Sequence, residues 1–190
     1  MKRVIIVHGF KGRPESNWKS WLKNELEDKG FVASNPEMPN TDHPDADGWV
    51  HKLAETIATP DTETYLVGHS LGCITILRYL ENLQDGQKIG GCVFVAGFGE
   101  KFKKYSGGHD SFFDHDLDWH KIKEHCDNFT AIHSDDDPNV EIDQLKLFKD
   151  NLDAKVTRTT GMGHFGSPDG IYEAPIIRDE LLTITSPDQF

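Results

Sequence analysis

Disulfide chemistry has little to work with in this chain. Its 190 residues include only three cysteines, Cys73, Cys92 and Cys126, widely spaced and without a Cys-x-x-Cys pair. An odd, scattered set argues against a disulfide framework or a thiolate zinc site and fits a reducing compartment. Cations are also short: 20 Lys and Arg stand against 32 Asp and Glu, a formal net charge of −12. Such a surface repels phosphodiester backbones and anionic lipid, so neither nucleic acid nor a membrane is expected as a partner. It also disfavours strongly anionic substrates, except where a pocket overrides the global field. Long apolar runs are missing as well. The run at residues 4–7, after Met1-Lys2-Arg3, stops at His8-Gly9 and is too short for the core of a secretion signal. No stretch approaches the ~20 apolar residues of a membrane span. The expectation is a cytoplasmic protein.

What remains is ordinary for a globular domain. Hydrophobic residues make up 36% and charged residues 27% of the chain, and the length suits one domain, residues 1–190, with a sizeable core. Short apolar runs at 4–7, 31–34, 64–67, 92–96 and 129–133, and a weaker one at 156–160, read as six strands. Between them lie helical stripes: Trp18, Trp21, Leu22 and Leu26, ended by Gly30; Trp49, Leu53 and Ile57; Ile74, Leu77 and Leu80. Further stripes are Leu145, Phe148 and Leu152, then Ile177, Leu181 and Leu182, with a short helix at 119–126. Strand–helix alternation with continuously apolar strands predicts an α/β fold: a mostly parallel sheet with helices on both faces, in three layers. The 98–117 stretch breaks the alternation. It carries Gly107-Gly108 and several aromatics, and reads as a functional loop in which Phe112 and Phe113 cover a pocket.

Chemistry concentrates in Tyr65-Leu66-Val67-Gly68-His69-Ser70-Leu71-Gly72-Cys73, which reads as strand, G-x-S-x-G, helix. A pentapeptide alone is weak evidence, but here it has the strand before and the helical stripe after that a nucleophile elbow requires. A sharp turn lifts the Ser70 hydroxyl above the sheet, and the helix N-terminus aims free N–H groups at a reacting carbonyl. Serine needs a base. His164, in Gly161-Met162-Gly163-His164-Phe165 just past the last strand, lies where α/β sheets gather reactive groups. The acid falls between nucleophile and base in this chain order. Ser134-Asp135-Asp136-Asp137-Pro138-Asn139-Val140 follows a strand directly, and three carboxylates compete. Asp137 is chosen because Asp-x-x-Val after a strand is how α/β-hydrolases present their acid; Asp135 and Asp136 are read as turn residues or the N-cap of the next helix.

An oxyanion hole needs two backbone donors. Leu71 N–H follows the nucleophile, and Phe10 N–H comes from the loop after the first strand. His8 is read as a structural residue holding that loop, and Trp18 and Trp21 as core. The residues His109, Asp110, Asp114, His115, Asp116, Asp118 and His120 are metal-ligand types, but their spacing fits no template, so no metal and no cofactor is expected.

Taken together, these motifs resemble the small serine hydrolases that include the YdeN-like proteins and retinoblastoma-binding protein 9. The resemblance runs over essentially the whole chain. It rests on Val4-Ile5-Ile6-Val7-His8-Gly9, the helix at 18–26, Met38-Pro39, Gly68-His69-Ser70, Trp119-His120-Lys121-Ile122-Lys123, the 134–138 segment and Gly163-His164-Phe165. It implies a minimal α/β-hydrolase fold lacking the two leading strands of the full fold, with a triad on Ser70, Asp137 and His164. His8-Gly9-Phe10 stands where some members carry a Gly-rich loop, and no Leu-x-Cys-x-Glu motif supports retinoblastoma-protein binding. The expected activity is hydrolysis of a small carboxylic ester, thioester or amide through an acyl-enzyme. Its rivals are a non-catalytic protein-binding module on the same fold and acyl transfer by the same residues.

Overall fold

The computed structural model describes residues 1–186. Strands and helices alternate: β1 (Arg3–Val7), α1 (Lys19–Glu27), β2 (Val32–Ser34), α2 (Ala46–Ile57), β3 (Thr64–His69) and α3 (Leu71–Glu81). Then come β4 (Gly91–Val95), α4 (Trp119–Glu124), β5 (Phe129–Ser134), α5 (Gln144–Leu152), β6 (Lys155–Thr159) and α6 (Pro175–Thr185). The strands form one sheet in the order β2-β1-β3-β4-β5-β6, and every neighbouring pair is parallel. This is the expected three-layer α/β architecture. After β1 the chain moves to one edge, and from β3 it moves to the other. The switch between β1 and β3 leaves a crevice at the carboxyl ends of these strands, the usual ligand position in such sheets.

The strands are continuously apolar because each face is covered. Along β1, Val4 and Ile6 pack with Trp18, Leu22 and Leu26 of the α1 segment and with Ile177 and Leu181 of α6. Ile5 and Val7 point the other way, into a core shared with Trp49 and Leu53 of α2, Ile74 and Leu77 of α3, and Phe148 of α5. α3 is buried along its whole length, so the element that follows Ser70 is the least free to move. The edges are weaker: β2 has three residues, and β6 is largely exposed, with Val156 at 37%. Trp18 and Trp21 join the core as expected, Trp18 fully buried and Trp21 partly. Among the described residues, no helix is long and apolar enough to cross a membrane.

One expectation needs correcting. Phe112 is not a pocket cover. The 98–117 stretch contains a 3-10 turn, Asp110–Phe113, which drives Phe112 fully into the core, edge-on to Trp49 at 5.9 Å. Its carbonyl accepts from Arg78 Nε and Nη2 at 3.1 and 2.9 Å. Phe113 packs behind Phe98 and Tyr105, with ring centroids 6.0 and 5.2 Å apart. Burial in the core takes Phe112 away from a lid role, while Phe113 stays half-buried among its aromatic neighbours. Asp135 and Asp136 are turn residues, the first of their two readings, and not an N-cap. α5 starts only at Gln144, behind Asp143, and the two carboxylates stay in the turn after β5, bonded elsewhere.

Phe112→Ala is therefore expected to behave as a core truncation. It should cost about 3–5 kcal/mol and lower Tm by on the order of 10 °C, measured by thermal unfolding. A variant with unchanged Tm would contradict the buried placement.

Candidate active site

β3 runs through Gly68 and His69 and delivers Ser70 onto a sharp turn, with φ 54° and ψ −118°. A non-glycine residue there costs about 1–3 kcal/mol and persists only when its surroundings over-determine it. They do: Ser70 N–H donates to the Val95 carbonyl at 2.9 Å, and its own carbonyl accepts from Cys73 N–H at 2.9 Å. The flanking glycines allow the tight approach. A Cβ on Gly68 would lie 2.8 Å from the Cys73 nitrogen, and one on Gly72 would collide with the Val7 carbonyl. Here the turn needs glycine for space, the pattern that made G-x-S-x-G informative.

The three side chains singled out in the sequence meet. His164 Nδ1 lies 2.8 Å from Asp137 Oδ2, and His164 Nε2 lies 3.0 Å from Ser70 Oγ. An ionised carboxylate only accepts, so Nδ1 carries the proton and the bare Nε2 accepts from the Ser70 hydroxyl. Burial alone would raise the Asp137 pKa. Hydrogen bonds from His133, His164 and the Val140 N–H more than offset it, holding the carboxyl well below the usual range. Asp137 Oδ1 accepts from the N–H groups of Asn139 and Val140 at 2.8 and 3.0 Å. This explains the Asp-x-x-Val spacing: the turn bonds to its own side chain.

The remaining aspartates divide the work of holding the His164 loop. Asp136 Oδ1 accepts from the N–H groups of Gly161 and Gly163 at 3.1 and 3.2 Å, and from the Ser134 hydroxyl. Asp169 Oδ2 accepts from His164 and Gly166 N–H at 3.1 and 2.9 Å. Asp135 ties to Arg158 and Thr160. On the other side, His69 Nε2–H donates to the His164 carbonyl at 2.8 Å, and Trp18 Nε1–H to the Phe165 carbonyl at 3.2 Å. Burial keeps the His69 ring neutral, its pKa pushed well down.

His69, His133, Asp136 and Asp169 were all missed as positioning groups in the sequence reading. Ser167-Pro168-Asp169-Gly170 is a turn signature that could have flagged Asp169; His133 offered none beyond ending a strand. His133 Nε2 sits 3.3 Å from Asp137 Oδ2 and 3.1 Å from the Val140 carbonyl.

His8 holds the loop after β1 as expected: its Nε2 accepts from Met38 N–H at 3.2 Å, and its Nδ1–H donates to the Gly9 carbonyl at 2.9 Å. That loop passes so close to the elbow that a Cβ on Gly9 would lie 3.0 Å from Ser70 Cβ. The N–H groups of Phe10 and Leu71 have no acceptor among the described residues, and both residues line a cavity of about 310 Å³ with Ser70 and His164. Its far wall is aromatic, made of Phe98, Phe102, Tyr105 and His109, the residues that take the place expected of Phe112 and Phe113. Among the described residues, no three His, Cys, Asp or Glu side chains converge as a metal site. Asp110 pairs with Lys101, and Asp118 caps α4 by accepting from Lys121 N–H at 3.0 Å.

A parallel sheet with this topology, an elbow serine and an imidazole in contact with it define an α/β-hydrolase. The chain belongs to the Serine hydrolase family, whose profile matches residues 4–183. It is 34% identical over 187 residues to YdeN of Bacillus subtilis (strain 168), covering 98% of each chain. It is 30% identical over 166 residues to the serine hydrolase RBBP9 of Rattus norvegicus, covering 86% of this chain and 87% of the relative. The crystal structure of the ydeN gene product from B. subtilis superposes with a TM-score of 0.91 at 33% identity, covering 97% of this chain and 98% of the other.

Asp136→Ala removes the anchor of the Gly161–Gly163 backbone without touching the Ser70–His164–Asp137 line. Hydrolase activity should fall about 100-fold, mainly in kcat, because displacing the His164 ring from Ser70 by even ~1 Å is that costly. Unchanged kcat would show that the loop holds His164 without Asp136.

Proposed function

We propose that this serine hydrolase cleaves small carboxylic esters, thioesters or amides by way of an acyl group carried on Ser70. The observation that carries this reading is the unbroken line Asp137–His164–Ser70, at 2.8 and 3.0 Å. His164 removes the hydroxyl proton as Ser70 attacks the carbonyl carbon. Asp137 keeps the proton on Nδ1 and stabilises the imidazolium that forms. The N–H groups of Phe10 and Leu71 hold the oxyanion. His164 then hands its proton to the leaving group. Water, deprotonated by the same nitrogen, releases the acid and restores the serine.

Two features support this reading, the first of them bearing on substrate size. The aromatic cavity is only about 310 Å³, enough for a compact acyl group or a single ring. The Asp137 carboxylate is fully covered and already hydrogen-bonded by backbone and imidazole, as an acid that orients rather than reacts should be. The alternative of a non-catalytic binding module does not account for a strained serine held in contact with a base whose tautomer is set.

A fluorophosphonate probe should label Ser70, read by mass spectrometry of the digested protein. Ser70→Ala should lose label and lower kcat/KM for short-chain p-nitrophenyl esters by about 10,000-fold or more. Labelling elsewhere in active protein, or full activity in Ser70→Ala, would refute the assignment.

A further inference from the structure

A second cleft, of about 510 Å³, opens on the other side of the Ser70–His164 pair, between the 9–12 and 166–169 loops. Where the first has an aromatic wall, this one has Lys11, Ser16, Asn17, Ser167 and Asp169, and Lys19 belongs to its lining. Lys19 is 1% exposed, on a helix whose other buried residues are leucines. Its ammonium makes one hydrogen bond, to the Ser16 carbonyl at 3.0 Å, and lies 5.2 Å from the centroid of the Trp18 ring. Two of its three donors remain unused, and no carboxylate pairs with it among the described residues. Burial alone pulls its pKa from 10.5 down to about 7.

The other buried cation on a helix is treated very differently. Arg78 pairs with Glu81 at 2.8 Å and donates to the carbonyls of Phe112 and His115. Folding therefore supplies a counter-ion where the charge is only structural, and omits one where the charge borders the nucleophile. A buried cation without a partner is costly, and the cost is recovered when a ligand provides the anion.

We propose that Lys19 is the counter-ion for a carboxylate carried by the substrate. The polar cleft is then an anion subsite, and the preferred esters bear a free carboxylate in one of their two halves. The proposal rests on the hydrolase reading of Ser70. The charges lining the cleft favour a monoanion: Lys11 and Lys19 face a single carboxylate, Asp169, whose Oδ2 is already bonded to two backbone N–H groups. A dianionic phosphate would leave an excess negative charge. The cleft thus reverses, locally, the acidic field of a chain with net charge −12.

The test compares matched esters. Mono-p-nitrophenyl glutarate against p-nitrophenyl butyrate places the carboxylate on the acyl side; 4-carboxyphenyl butyrate against 4-carbamoylphenyl butyrate places it on the alcohol side. One of the two carboxylate esters should be preferred about 10–100-fold in kcat/KM, mostly through KM, and Lys19→Met should reduce that ratio to about one. No preference for either, or a preference that survives in Lys19→Met, would overturn the proposal. Should Lys19→Met fail to fold, the wild-type protein still decides. Free glutarate should inhibit much better than glutaramide. Equal inhibition would be fatal. Hydrolysis of the neutral esters, and its loss in Ser70→Ala, reports separately on the hydrolase reading.

Discussion

An imidazole can join a carboxylate to a hydroxyl only if something outside it fixes both the ring plane and the side that carries the proton. In this protein that task falls to the short loop around His164. Its amides reach Asp136 and Asp169, and its carbonyls receive the His69 ring and the Trp18 indole. The loop has no helix or strand of its own to stiffen it. Four bonds to carboxylate oxygens and two to backbone carbonyls do so instead. Losing Asp136 or Asp169 leaves backbone N–H donors unmet, and losing the His69 ring or the Trp18 indole leaves a carbonyl unmet, so the set is coupled.

The sheet does the coarser positioning. Parallel pairing sends β1, β3, β5 and β6 to a common edge, and the change of direction between β1 and β3 opens room there. Val7 lies opposite Gly68 in register, so the loop after β1 and the elbow after β3 emerge together. That closeness is why Gly9 and Gly72 have no space for a side chain. Fold and site are linked by these backbone contacts more than by any side chain.

Much of this was legible in the amino-acid order, for identifiable reasons. Strands covered on both faces must be continuously apolar, which made β1, β3, β4 and β5 plain; exposed β6, with its Lys-Val-Thr-Arg-Thr run, gave only a weak signal. Ser70, His164 and Asp137 were readable because each sits beside a local pattern: a glycine-framed turn, a glycine-rich loop after a strand, and an aspartate bonding to its own turn. The fate of Phe112 was not readable. Local composition says nothing about whether an aromatic in a long loop turns inward, and here a single 3-10 turn and Arg78 decide it. Lys19 was hidden for the same reason: a lysine on an amphipathic helix is expected outside, and only the docking of α1 beside the 9–17 loop encloses it.

Trp18 and Phe165 are 147 positions apart, yet one hydrogen bond joins them across the base-bearing loop. Ser70 and His164 are separated by 94. Contacts that span so much chain close late, because the entropy of long loops must be met before they form. The site is thus complete only when the Trp18 segment and the loop around His164 both lie against β3. A chain that ends at α3 would hold the Ser70 turn but not the imidazole that lies 3.0 Å from its hydroxyl.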